Sequence, residues 1–262
     1  MLKGVQCYTI RDYLKDAAQF KESMKKVKAI GYDCVQSGVP SYLTARETKD
    51  FLDEVGLTSC STYASYEKMA EEPAAITAAI KDAKIMDTNC IAIGTMPEEM
   101  RDHEEGFKKY AASLNKIAAE LNKEGCKLVY HHHALEFFSL GGGRHGMDIL
   151  FNETDPSCVY FTLDTHWLAS GGVNPIEWIN KAKGRMTFIH FKDYAIGPEA
   201  QSIEGVSKMF AEVGEGNINW PEVIKACKET GVEAAVVEQD ICKGCPFDSL
   251  KISYDNMVKF NV

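Results

Sequence analysis

Apolar and β-branched residues fall in short runs along the chain, and longer stretches with apolar positions every three or four residues lie between them. Short apolar runs bounded by turn residues read as buried strands, and the wider spacing reads as amphipathic helix. Strands are predicted over 5–8, 34–37, 57–63, 90–94, 127–133, 159–164, 187–191 and 234–238, and helices over 16–30, 44–55, 74–86, 104–124, 174–183 and 220–230. Gly31, Gly56, Gly125 and Gly231 stand where helices should stop before strands. Asn219, Pro221 and Glu222 mark the start of the last helix. Strand alternating with helix implies parallel βαβ units. Eight such strands in 262 residues predict one α/β domain over 1–262, a closed (β/α)8 TIM barrel in preference to a doubly wound sheet. The interval 194–232 is too long for a helix alone and predicts extra loop structure.

Composition narrows the function classes. Lys and Arg number 29 against 38 Asp and Glu, a formal charge of −9. Such an acidic balance opposes binding to nucleic acid or anionic membranes, while leaving a small anionic substrate open. No stretch approaches the ~18 apolar residues of a membrane span, and the first dozen residues hold no signal-peptide core, so a cytoplasmic location is expected. The nine cysteines are odd in number, and Cys7, Cys34, Cys60 and Cys90 sit in or beside apolar runs, as free thiols in a reducing compartment do. Cys242 and Cys245 form a lone CxxC, a weak metal or redox signal without a second pair. Oligomeric state is not encoded in these features, and a homo-oligomer stays open.

Histidine is uneven: six of seven lie between His131 and His190. In a barrel of this kind the active site lies at the C-terminal strand ends. The first four ends carry Gln6, Tyr8, Gln36, Ser37, Ser61, Tyr63 and Gly94, without His or carboxylate. The last four carry His131, His132, His133 and Glu136, then Asp164 and His166, then His190 and Lys192, then Glu238 and Asp240. The two-residue period of a strand places Asp164 with His166, His190 with Lys192, and Glu238 with Asp240. Carboxylates and an imidazole converging on one mouth favour Mn²⁺, with Mg²⁺, Co²⁺ and Zn²⁺ as alternatives.

The motifs Tyr130-His131-His132-His133-x-x-Glu136-Phe137, Leu163-Asp164-Thr165-His166-Trp167, Gly184-Arg185-Met186-x-x-x-His190-x-Lys192-Asp193, Val213-Gly214-Glu215-Gly216-Asn217 and Val237-Glu238-Gln239-Asp240 resemble the xylose isomerase-like TIM barrel family of sugar phosphate isomerases and epimerases. The opening Gln6-x-Tyr8-x-x-Arg11 fits the same group. The resemblance implies that Glu136, Asp164, His190 and Glu238 hold the metal, with His131 or His133 as a stand-in for Glu136. This sequence has His132 where the family usually has Asn, and Trp167 where ketose 3-epimerases of the superfamily have His.

The resemblance further implies isomerisation or epimerisation of a small carbohydrate through an enediolate, Glu136 and Glu238 moving the proton on opposite faces of the carbon. His131, His133, His166, Trp167 and Lys192 are candidates for substrate contact, as are Tyr8 and, in the glycine-rich segment 141–146, Arg144. A lyase using the same metal and base is the alternative, similar to inosose dehydratase or to an eliminase of 3-keto-glycosides. An endonuclease IV-like role ranks last, because the ends of strands two and three offer no further metal ligands.

Overall fold

A computed structural model describes residues 1–197 and 208–262. Eight parallel strands form the barrel: β1 (Leu2–Gln6), β2 (Cys34–Gln36), β3 (Thr58–Tyr63), β4 (Cys90–Ile93), β5 (Lys127–His131), β6 (Val159–Thr162), β7 (Phe188–Phe191) and β8 (Ala234–Val237). Their order around the sheet is β6, β5, β4, β3, β2, β1, β8, β7. A parallel bridge between Asp164 and His190 joins the two ends, with His190 N–H donating to the Leu163 carbonyl at 2.8 Å. The expected TIM barrel is therefore what forms.

Residues one apart on these strands separate into two packing environments. Val35, Ile91, Leu128, Phe161, Ile189 and Val237 belong to the large core that includes the surrounding helices. Cys34, Cys90, Val129, Phe188 and Val236 make a second, smaller cluster. Because side chains recur every two residues, Gln36, His131, His190 and Glu238 stand one layer above Cys34, Val129, Phe188 and Val236. The polar mouth thus rests on an apolar floor.

Local chemistry accounts for the helix boundaries. Thr44 and Glu47 form a reciprocal capping box before the helix Ala45–Val55, and Gly56 ends it in the left-handed conformation at φ 76°. Asn219 occupies the N-cap of the helix Trp220–Thr230, without a side-chain bond into its first turn. Three strands end two residues earlier than their apolar runs suggest. Gln6 accepts the Tyr8 N–H and starts a 3-10 turn over Cys7–Tyr13, so Cys7 and Tyr8 leave β1. His132 and His133 lie beyond β5, and Asp164 caps a short helix, Thr165–Ser170, that sequence periodicity does not show. The helices Gly146–Glu153 and Pro246–Lys259 likewise have no counterpart among the predicted elements.

The long interval after β7 contains an antiparallel pair, Asp193–Ile196 with Lys208–Ala211. A second small hairpin, Ser139–Gly141 with Arg144–His145, occupies the glycine-rich segment. No helix among the described residues is long and apolar enough to cross a membrane. All nine cysteines are free.

Candidate metal centre

Four side chains from consecutive strand ends meet at the barrel mouth: His131 from β5, Asp164 after β6, His190 from β7 and Glu238 after β8. One ligand atom from each lies within 4.8 Å of all the others, and all four residues are buried. Asp164 divides its two oxygens between tasks. Its Oδ1 accepts the Trp167 N–H at 2.9 Å and caps the following helix. Its Oδ2 faces His131 Nε2 at 3.6 Å and His190 Nδ1 at 3.8 Å.

His190 is held from behind by Gln36, whose Oε1 accepts the Nε2 proton at 2.5 Å. That bond turns Nδ1 toward Glu238 Oε2, 3.1 Å away. Gln36 is itself held by Gln6, whose amide donates to Gln36 Oε1 at 3.1 Å and to the Tyr63 hydroxyl at 3.0 Å. His131 Nε2, Asp164 Oδ2 and His190 Nδ1 are buried without a hydrogen-bond partner. Buried polar atoms normally find partners. Three unpartnered atoms converging with a glutamate fit a divalent cation bound by two imidazole nitrogens and two carboxylate oxygens.

The electrostatics agree with such a donor set. Burial works against charge on His190, but Glu238 and Asp164 outweigh it and hold its pKa up at about 9. Burial also opposes ionisation of Glu238, yet His190 and Lys192 bring its pKa down to about 2. Burial pushes His131 down, and the neighbouring His190 adds to that. Lys192 reaches Asp240 at 2.8 Å, Glu238 at 3.3 Å and Asp164 at 3.8 Å. Those carboxylates outweigh its burial and keep it firmly charged.

Glu136, implied as a ligand and as a catalytic carboxylate, stands outside this group. Its carboxylate accepts the Tyr130 hydroxyl proton on one oxygen and the His133 N–H at 2.7 Å on the other. The chain turns after β5 and aims Glu136 back into its own loop, so His131 occupies the β5 position. His132 ties β5 to the residue after β6: its Nδ1–H donates to the His133 carbonyl at 3.0 Å, and its Nε2 accepts the Asp164 N–H at 3.1 Å.

A cavity of about 890 Å³ opens above the group, lined among others by Tyr8, Arg11, Tyr63, His131, His133, Lys192, Phe210, Glu238 and Asp240. Of the sequence candidates, Tyr8, His131, His133 and Lys192 line it. His166 and Trp167 instead pack against Phe210 in an aromatic wall, tilted and edge-on, with ring centroids 4.8 and 6.3 Å from Phe210. Lys192 Nζ lies 4.8 Å over Trp167. Arg144 does not reach the cavity; it is exposed on its hairpin and pairs with Glu104 at 3.0 Å. Gln36 and Arg11 carry no site role in the sequence reading, and Phe210 does not appear in it. Gln36 shares a strand face with Cys34, and Arg11 is part of the opening motif, so each left a faint signal.

The family model for the xylose isomerase-like TIM barrel matches residues 24–241. The chain belongs to that family. It is 32% identical over 164 residues to an inosose dehydratase of Clostridium beijerinckii, a match covering 56% of this chain and 52% of the relative. The chain thus spans about half the length of that curated relative. Among solved structures it is similar to a sugar phosphate isomerase/epimerase from Parabacteroides distasonis, with a TM-score of 0.80 at 20% identity over 98% of this chain and 93% of that one. It is also similar to the probable 3-DHS dehydratase AsbF from Bacillus anthracis, with a TM-score of 0.74 at 15% identity over 98% and 99% of the two chains. At such identities these two likenesses concern the fold.

Proposed function

We propose that this chain is a divalent-metal-dependent lyase that removes water from a small polyhydroxylated ketone. The observation that carries this reading is the separation of the two expected catalytic carboxylates. Glu238 faces the metal group and the cavity, while Glu136 is held by Tyr130 and the His133 backbone. An epimerase using carboxylates on opposite faces of one carbon lacks its second member in this arrangement. Elimination needs one base and a proton donor for the departing hydroxyl, and Glu238 with Lys192 supplies both. The likeness to inosose dehydratase supports the same choice over the isomerase or epimerase reading.

His131, Asp164, His190 and Glu238 would hold the cation. Their mixed nitrogen and oxygen donors suit Mn²⁺, Co²⁺ or Zn²⁺ better than Mg²⁺. When bound, the cation supplies Lewis acidity toward a carbonyl oxygen and so acidifies the adjacent C–H. Glu238 then takes the proton from that carbon, the C–H electron pair becomes the new C=C bond, and the C–O bond to the β-hydroxyl breaks. The hydroxyl leaves as water with a proton from Lys192, and the proton on Glu238 returns to Lys192 across 3.3 Å. Trp167 and Phe210 shield one side of the ammonium from water.

The test is incubation of the Mn²⁺-loaded protein with an inosose in D₂O, followed by mass spectrometry and NMR. Loss of one water with formation of an enone supports the lyase. Deuterium at the α-carbon with no water lost returns the reaction to an isomerase or epimerase. Undiminished turnover after chelation removes the metal from the mechanism.

A further inference from the structure

The cavity has more room and more positive charge than the metal group alone explains. Its 890 Å³ lies near the top of the ~300–1,000 Å³ range of pockets that enclose drug-sized ligands, so a bare six-carbon polyol leaves space. Two basic side chains line the wall, Lys192 and Arg11. Lys192 is surrounded by three carboxylates. Arg11 has no carboxylate partner among the described residues; its one side-chain bond runs from Nη1 to the Tyr8 carbonyl at 2.9 Å. Its Cζ sits 4.2 Å over the Tyr8 ring, and Tyr8 N–H is anchored at 3.1 Å by Gln6 Oε1. Gln6 in turn donates to Gln36, which orients His190.

The guanidinium is therefore oriented by its own turn, and among the described residues most of its five N–H donors have no protein acceptor. A planar fork held in this way matches carboxylate or phosphate oxygens and loses little freedom on binding them. The charges point the same way. With a divalent cation bound, Lys192 and Arg11 set against Asp164, Glu238 and Asp240 would leave one positive charge unmatched among the described residues of this mouth.

We infer that Arg11 is an anion subsite and that the substrate is a polyhydroxylated ketone carrying a carboxylate or phosphate away from its reacting carbon. This rests on the metal-dependent reading above and adds the substrate's charge to it. Calorimetric titration with D-fructose, 5-keto-D-gluconate and D-fructose 6-phosphate tests it, using metal-free and Mn²⁺-loaded protein. An anionic ketone should bind about 10- to 100-fold more tightly than fructose, as a charge-assisted pair contributes. Arg11→Gln should erase that preference and Arg11→Lys should keep part of it, while both variants bind Mn²⁺ as the parent does. The tighter of the two anionic ligands identifies carboxylate or phosphate as the group read. Absence of an anionic preference in the parent, or a preference that Arg11→Gln retains, overturns the inference. Failure of parent and variants alike to bind Mn²⁺ instead overturns the metal-dependent reading.

Discussion

Gln36 Oε1 lies 2.5 Å from His190 Nε2 and thereby decides which nitrogen of His190 faces the carboxylates. A ligand imidazole is oriented by the bond its other nitrogen makes, and losing that bond typically weakens metal binding by about 10- to 100-fold. Gln36→Leu should show a loss of that size with the fold intact. Competition against a chelating dye measures it, with circular dichroism as the fold control. Unchanged affinity would remove Gln36 from the centre.

His131 and Glu136 can be told apart directly. His131→Ala removes one donor from the group and should lower metal affinity by about 100-fold or more. Glu136→Gln should leave metal stoichiometry intact and destabilise the protein by about 1–2 kcal/mol through its bonds to Tyr130 and His133. Elemental analysis after dialysis and urea unfolding provide the two readouts. The reverse pattern would restore Glu136 as the ligand.

Metal binding should release a proton at neutral pH. His190, with its pKa held up at about 9, carries a proton that must leave before Nδ1 can bind a cation. Affinity should therefore rise about tenfold per pH unit and level off near 9. Without metal the sign of the stability effect is opposite. The raised pKa stabilises the fold fully below the ordinary histidine value of about 6.5, and this is lost as pH rises through about 9. Calorimetry in buffers of different ionisation enthalpy counts the proton, and release of none at pH 7 would contradict the charge assignment.

Asp193 organises the loop after the antiparallel pair Asp193–Ile196 and Lys208–Ala211. Its buried carboxylate accepts from the backbone of Tyr194, Gly214, Gly216 and Ile218 and from Trp220 Nε1 at 2.6 Å. Asp193→Ala strands all these donors and should cost about 3–5 kcal/mol in urea unfolding. Gly216→Ala should also destabilise, because a Cβ there would lie 2.3 Å from Asp193 Oδ1.

The barrel was legible in the chain because it depends on short-range periodicity, and the family resemblance pointed to three of the four converging residues, Asp164, His190 and Glu238. Apolar runs separated by helical spacing specify eight strands, and the two-residue alternation aligns His190 with Lys192 and Glu238 with Asp240. That logic ends where strands end. The exit of the chain after β5 turns on bonds from Tyr130 and the His133 backbone, and these aim Glu136 away from the mouth and leave His131 there. Arg144 is adjacent in sequence to a promising glycine-rich loop, yet the hairpin carries it to Glu104. Gln36 and Arg11 were unremarkable as residues and became informative only through neighbours 154 and three positions away.

The sequence by itself determined the fold class and the strand ends that supply chemistry, since each follows from residue type and spacing, and its motifs carried the resemblance to the family. Tertiary structure decided which side chains converge at the barrel mouth and which cation lacks a counter-charge among the described residues. Those outcomes are set by loop exits and long-range hydrogen bonds, which have no period for a sequence pattern to display.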